Sequence, residues 1–112
     1  MNKYELTEET NSMGLYRIKA LKDFGIIKVG ELGGWIESEK NLSQNGNAWV
    51  SGNAKVFDDA QVFDDAQVFD DAWVFDNAQV YGDAQVFSDA RVFGGAQVFG
   101  DAQVFENTEI SD

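Results

Sequence analysis

The sequence predicts an all-β solenoid, a chain wound into stacked coils of short parallel strands. Three observations carry that expectation. From Ala48 the chain repeats every six residues: AWVSGN, AKVFDD, AQVFDD, AQVFDD, AWVFDN, AQVYGD, AQVFSD, ARVFGG, AQVFGD, AQVFEN, then the degenerate TEISD. Within each hexad small and branched residues alternate with polar or aromatic ones. Proline is absent, which suits continuous strand pairing because each proline removes a ladder donor.

Alanine recurs at 48, 54, 60, 66, 72, 78, 84, 90, 96 and 102, and valine follows two places later each time. An aromatic holds the fourth position from Phe57 to Phe105, Tyr81 included, and only Ser51 of the first hexad departs from this. A-x-V-F reads as a short strand with period-two alternation. The fifth and sixth positions draw on Asp, Asn, Gly, Ser and Glu, which suit a corner because Gly, Asn and Asp tolerate the left-handed backbone region. Ala and Val belong inside, since Gln and Lys cannot share a dry interior with them. A six-residue side turns too often for a sandwich, but it coils with three sides per turn. At about 18 residues per coil the body has roughly four coils and stands ~19 Å tall.

Upstream, Ile36 and Leu42 fall on the alanine column, so IESEKN and LSQNGN are expected to form a looser first coil. LYRIKAL and GIIKV read as two strands around an Asp23–Phe24–Gly25 turn. The expected organisation is a β cap over residues 1–35 covering the first edge of a solenoid over 36–112, together one structural domain. Trp35 in GGWIE is expected to pack the cap onto the first coil. Trp49 and Trp73, at outward second positions, are expected to lie under the cap, with a partner hot spot as the alternative.

A small residue two places before an aliphatic, repeated every six, resembles the hexapeptide repeat of left-handed parallel β-helices. The segment KALKDFGIIKVGELGGWIESEKNLSQNGNAWV, residues 19–50, resembles the leader that precedes the solenoid in bacterial and prophage hexapeptide-repeat proteins of the YdcK type. The resemblance implies a left-handed parallel β-helix with a small N-terminal β cap. That family carries a transferase label by analogy with hexapeptide acyltransferases. This chain departs from working acyltransferases in having no His and no evident coenzyme loop.

Composition narrows the function classes. The 112 residues allow one small domain, and 44% hydrophobic content excludes disorder by composition. There is no Cys, so neither a disulfide nor a thiolate metal site is available. There is no His either, which removes the commonest general base and the commonest metal ligand together. No apolar run spans a bilayer and the N-terminus does not read as a signal peptide, so the expected location is the cytoplasm of a bacterial host cell. Residues 1–40 are nearly neutral, whereas residues 41–112 carry thirteen acids against only Lys55 and Arg91. That polyanion disfavours direct binding to nucleic acid or an anionic membrane.

Two sets of residues then stand out. The aspartates Asp58, Asp59, Asp64, Asp65, Asp70, Asp71, Asp76 and Asp83 are expected to bind a protein partner; Asp89 and Asp101 continue the series. Eleven net charges over roughly 19 Å approach the axial charge density of duplex DNA, one per ~1.7 Å. The expected function is a non-enzymatic inhibitor or decoy, as a phage might carry, showing a DNA-like surface to a basic nuclease or other nucleic-acid-binding protein. The alternatives are a structural or assembly scaffold and a degenerate relative of hexapeptide acyltransferases. The aromatic column is expected to stack into ladders such as Phe57–Phe75–Phe93. Phe87, Phe99, Phe105 and Ile110 are expected at a homo-oligomer interface, with the edge after TEISD inviting end-to-end pairing. No cofactor and no metal are expected, because near-identical repeats offer no singular acid pair and no cation-binding loop spacing.

Overall fold

A computed structural model describes residues 2–111. The hexads form eleven two-residue strands, from Trp49–Val50 at intervals of six to Glu109–Ile110. Each pairs in parallel with the strand eighteen residues on, as in Gln61↔Gln79↔Gln97, so three hexads make one coil. Between coils the Phe57 N–H donates to the Val74 carbonyl at 3.0 Å, and Gln61 N–H to Ala78 at 3.0 Å. The result is a parallel β-solenoid with three faces. The first carries Lys55, Trp73, Arg91 and Glu109, the second Trp49, Gln67, Gln85 and Gln103, and the third Gln61, Gln79 and Gln97.

Alternation delivers the expected core. Alanines 48 to 90 are fully buried, and valines 50 to 92 nearly so. Three columns converge on the axis, and a methyl from each hexad leaves room for the valine beside it. Phe57, Phe75 and Phe93 stack with ring centroids 5.2 Å apart. Phe63, Tyr81 and Phe99 stack at 4.9 and 5.4 Å, and Phe69, Phe87 and Phe105 at 4.9 and 5.3 Å. Such offset parallel contacts contribute about 0.5–1.5 kcal/mol each beyond area burial.

The first coil departs from the expected register. Ile36 pairs beside Val56 and Leu42 beside Val62, twenty residues on, whereas Trp49 pairs with Gln67, eighteen on. Ser43 donates to Val62 and Asn47 to Asp64, so Gln44, Asn45 and Gly46 occupy the corner that Asp64 alone occupies one coil later. Ile36 and Leu42 therefore stand on the valine column. Gly34 stands on the alanine column, where an added Cβ would lie 2.8 Å from Val50 Cγ1 and from the Ala54 carbonyl.

Above this coil lie three further strands, β1 (Tyr4–Thr10), β2 (Tyr16–Ala20) and β3 (Leu32–Ile36). β1 pairs antiparallel with β2 and β2 with β3; β3 then runs parallel to Lys55–Val56 as the top rung of the first face. The expected GIIKV strand is not formed. Phe24 and Ile27 exchange a tight pair of hydrogen bonds, Gly25 and Gly30 take positive φ, and Asp23 accepts the Val29 N–H at 2.8 Å. β1 supplies the pairing instead.

The enlarged corner is where the N-terminal strand docks. Gln44 Oε1 accepts the backbone N–H groups of Lys3 and Tyr4 at 2.8 and 3.2 Å. The buried Lys3 ammonium donates to the Ala48 carbonyl at 2.7 Å, and the Tyr4 hydroxyl donates to the Leu42 carbonyl. Burial, with the Lys22 charge nearby, pushes the Lys3 pKa down to about 8, against a smaller opposing effect of Asp65. Burial and then Glu39 raise that of the Tyr4 phenol. Tyr4 and Phe24 lie edge-on to Trp49, which is buried beneath them as expected. Trp73 is not covered by the cap. It is half-buried between Arg91, 4.5 Å from its ring, and Lys55 at 5.9 Å.

Candidate functional site

The aspartates fall on three edges, one after each face. The edge after the first face carries Asp58–Asp59, Asp76–Asn77 and Gly94–Gly95. The edge after the third carries Asp64–Asp65, Gly82–Asp83 and Gly100–Asp101. The edge after the second carries Gly52–Asn53, Asp70–Asp71, Ser88–Asp89 and Glu106–Asn107.

The two corner positions do different work. Every fifth-position residue lies in the left-handed region, with φ near 58° at Asp58, Asp64, Asp70 and Asp76 and 57° at Ser88. There the aspartate carboxylate turns toward the next coil. Asp58 accepts the N–H of Asp76 at 3.3 Å, Asp64 that of Gly82 at 3.1 Å, Asp70 that of Ser88 at 3.1 Å and Asp76 that of Gly94 at 3.0 Å. Glu37 serves Asp58 in the same way at 2.7 Å. These acids satisfy corner donors that no strand partner reaches, which explains a residue choice that tolerance of positive φ alone does not.

The sixth-position acids are differently placed. Asp59 pairs with Lys40 at 2.6 Å, and Asp65 accepts the Asn47 N–H at 3.2 Å. Among the described residues the carboxylates of Asp71, Asp83, Asp89 and Asp101 accept no hydrogen bond from the chain, Arg91 reaching only the Asp89 backbone carbonyl at 3.4 Å, and all four residues are exposed. Only the edge after the third face holds acids at this position in three successive coils: Asp65, Asp83 and Asp101. The eight expected partner-binding aspartates thus divide. Asp58, Asp64, Asp70 and Asp76 hold the corners, while Asp59, Asp65, Asp71 and Asp83 face outward.

The expected oligomer residues are distributed over the three faces. Phe87 lies half-buried between Phe69 and Phe105 in one ladder, exposed Phe99 ends another, and Ile110 sits on the valine column of the first face. Sequence reading missed a ladder that is formed: Arg17, Trp35, Lys55, Trp73 and Arg91 succeed one another across the first face. Arg17 lies 4.6 Å from the Trp35 ring. The ladder collects both bases of residues 41–112. Its signal was available, because Lys55, Trp73 and Arg91 replace the usual second-position Gln at intervals of eighteen.

Also unforeseen is a cleft of about 610 Å³ between the cap loop and the second face, lined in part by Ile26, Ile27, Glu31, Trp49, Asp65 and Phe69. Among the described residues no cluster of acids has metal-binding geometry, and no helix is long and apolar enough to cross a membrane.

Comparison with known proteins adds one finding. The chain is 36% identical over 61 residues to the uncharacterized acetyltransferase YdcK of Escherichia coli (strain K12). The match takes in 45% of this chain and 19% of YdcK, so the chain spans about a fifth of that relative's length. No family profile matches the chain. Similarity to YdcK and the stacked coils agree on a hexapeptide-repeat β-solenoid.

Proposed function

We propose that this chain is a non-catalytic binding module whose acidic edges occupy a basic surface on a nucleic-acid-binding protein, as an inhibitor or decoy would. The sixth-position acids carry the reading. The carboxylates of Asp71, Asp83, Asp89 and Asp101 accept no hydrogen bond within the described chain, whose bonds at these residues run through the backbone, and stacked carboxylates about one coil apart repel. No contact within the fold accounts for acid at these four positions, which favours a partner as its reason. The absence of Cys and His from the sequence favours binding over catalysis.

The aromatic ladders favour a second reading, an assembly scaffold. The similarity to YdcK favours a third, acetyl transfer. One experiment separates the first from the others. Immobilised protein and its Asp71→Asn/Asp83→Asn/Asp89→Asn/Asp101→Asn variant are compared for capture from bacterial lysate at low and then high salt. A basic nucleic-acid-binding protein held by the wild type, released by salt and lost by a folded variant is the expected result. Equal capture by both, resistant to salt, would overturn the proposal.

A further inference from the structure

Ile26 is the most exposed large apolar side chain among the described residues, at 87%, and Val29 follows at 63%. Lys28 stands exposed between them in sequence. The tip of the cap loop is therefore apolar and basic. The cleft that Ile26 borders is lined by half-buried Phe69, by buried Ile27 and Trp49 beneath, and by the acids Glu31 and Asp65. A knob and a hollow of matching chemistry and opposite charge thus lie side by side on one surface. Exposed apolar groups of this kind mark interfaces, and a patch that complements itself closes around a twofold axis rather than growing into a filament.

We infer that the occupant of this cleft is the cap loop of a second copy of the chain. Each Ile26 enters the partner subunit's cleft, and each Lys28 meets the acidic margin there. The contact shares Asp65 with the acidic edge after the third face, but it uses none of Asp71, Asp83, Asp89 and Asp101, which carry the proposed function, and none of Phe87, Phe99, Phe105 or Ile110.

Sedimentation equilibrium on the 112-residue chain tests it. The wild type is expected to dimerise reversibly, and Ile26→Asp to weaken the dimer about a hundredfold or more, as loss of one buried aliphatic anchor from each of the two protomers implies. Ile26 is so exposed that this variant retains the monomer fold, which circular dichroism checks. Lys28→Glu weakens the dimer, and adding Asp65→Lys restores part of the loss. A wild type that stays monomeric at all concentrations overturns the inference, as does a dimer indifferent to Ile26→Asp. If the wild type is monomeric but a synthetic apolar, lysine-bearing peptide binds the cleft, the occupant is another protein and the self-association is wrong.

Discussion

The Asp64 carboxylate accepts the backbone N–H of Gly82, its counterpart at the same corner one coil further on, at 3.1 Å. Asp64 itself holds φ 59°, so one residue both adopts a conformation that most side chains resist and supplies an acceptor to the coil below. Alanine removes both contributions. Asp64→Ala is expected to cost about 1–3 kcal/mol, while Asp64→Asn, which keeps an acceptor and tolerates the conformation, costs about 0.5 kcal/mol or less. Urea denaturation midpoints of the two variants check this; equal losses would refute it.

Ser88 occupies the same corner position at φ 57° without the tolerance of Asp or Gly. Ser88→Gly is expected to raise stability by about 0.5–1 kcal/mol, the relief of strain exceeding the added entropy of the unfolded chain. Its N–H still reaches Asp70, so thermal unfolding reads the backbone effect alone.

Phe75 is stacked on both sides and Phe99 on one. Phe75→Ala loses two stacks and part of the cover of Trp73, about 2–4 kcal/mol, whereas Phe99→Ala costs about 1 kcal/mol. A solenoid in which both truncations cost the same would not be held by its ladders.

The cap has a distinct pH signature. Lys3 has a folded pKa of about 8 against an unfolded value of 10.5. Between those values the unfolded chain binds more protons, and stability rises with pH. The Tyr4 phenol, raised by burial from 10.0, behaves oppositely. Above about pH 10 the unfolded tyrosine loses its proton while the folded one keeps it, and stability falls. Melting temperature measured from pH 7 to 11 should therefore pass through a maximum on the alkaline side. Lys3→Met is expected to abolish the rise and Tyr4→Phe the later fall.

Much of the solenoid was legible because every hexad states the same local preference. Ala48 to Val98 read as core and are buried, although Ala102 of the last coil, expected inside, stands exposed where no further coil covers it among the described residues. The predicted stack of Phe57, Phe75 and Phe93 is formed. The divisions between like residues were harder to see. Asp58 and Asp59 are indistinguishable as letters, yet one caps a neighbouring coil and the other meets Lys40, a difference set by side-chain direction at a corner. The extra pair of residues in Gln44–Gly46 was hidden because SQNGN has the composition of any corner here, and only the pairing of Leu42 with Val62 reveals the offset. TEET is too polar to announce a strand, and it becomes one by pairing with β2. GIIKV has the composition of a strand but is closed into a turn by Gly25, Gly30 and the Asp23 carboxylate. Trp49 and Trp73 occupy the same hexad position, and the cap covers only the face that carries Trp49.

The spacing of eighteen residues makes a whole coil an interchangeable part. Inserting or deleting eighteen residues between Ala54 and Ala90 returns alanine to alanine and phenylalanine to phenylalanine at every seam. A change of six or twelve rotates all that follows onto another face and parts Arg91 from Trp73. Repetitive coding sequence gains and loses units by slippage, and this fold accepts whole coils while penalising fractions. The cap, locked to its own twenty-residue coil through Gln44, is untouched by such events. Lineages can therefore vary the reach of the acidic edges in steps of about 4.8 Å while inheriting an unchanged head.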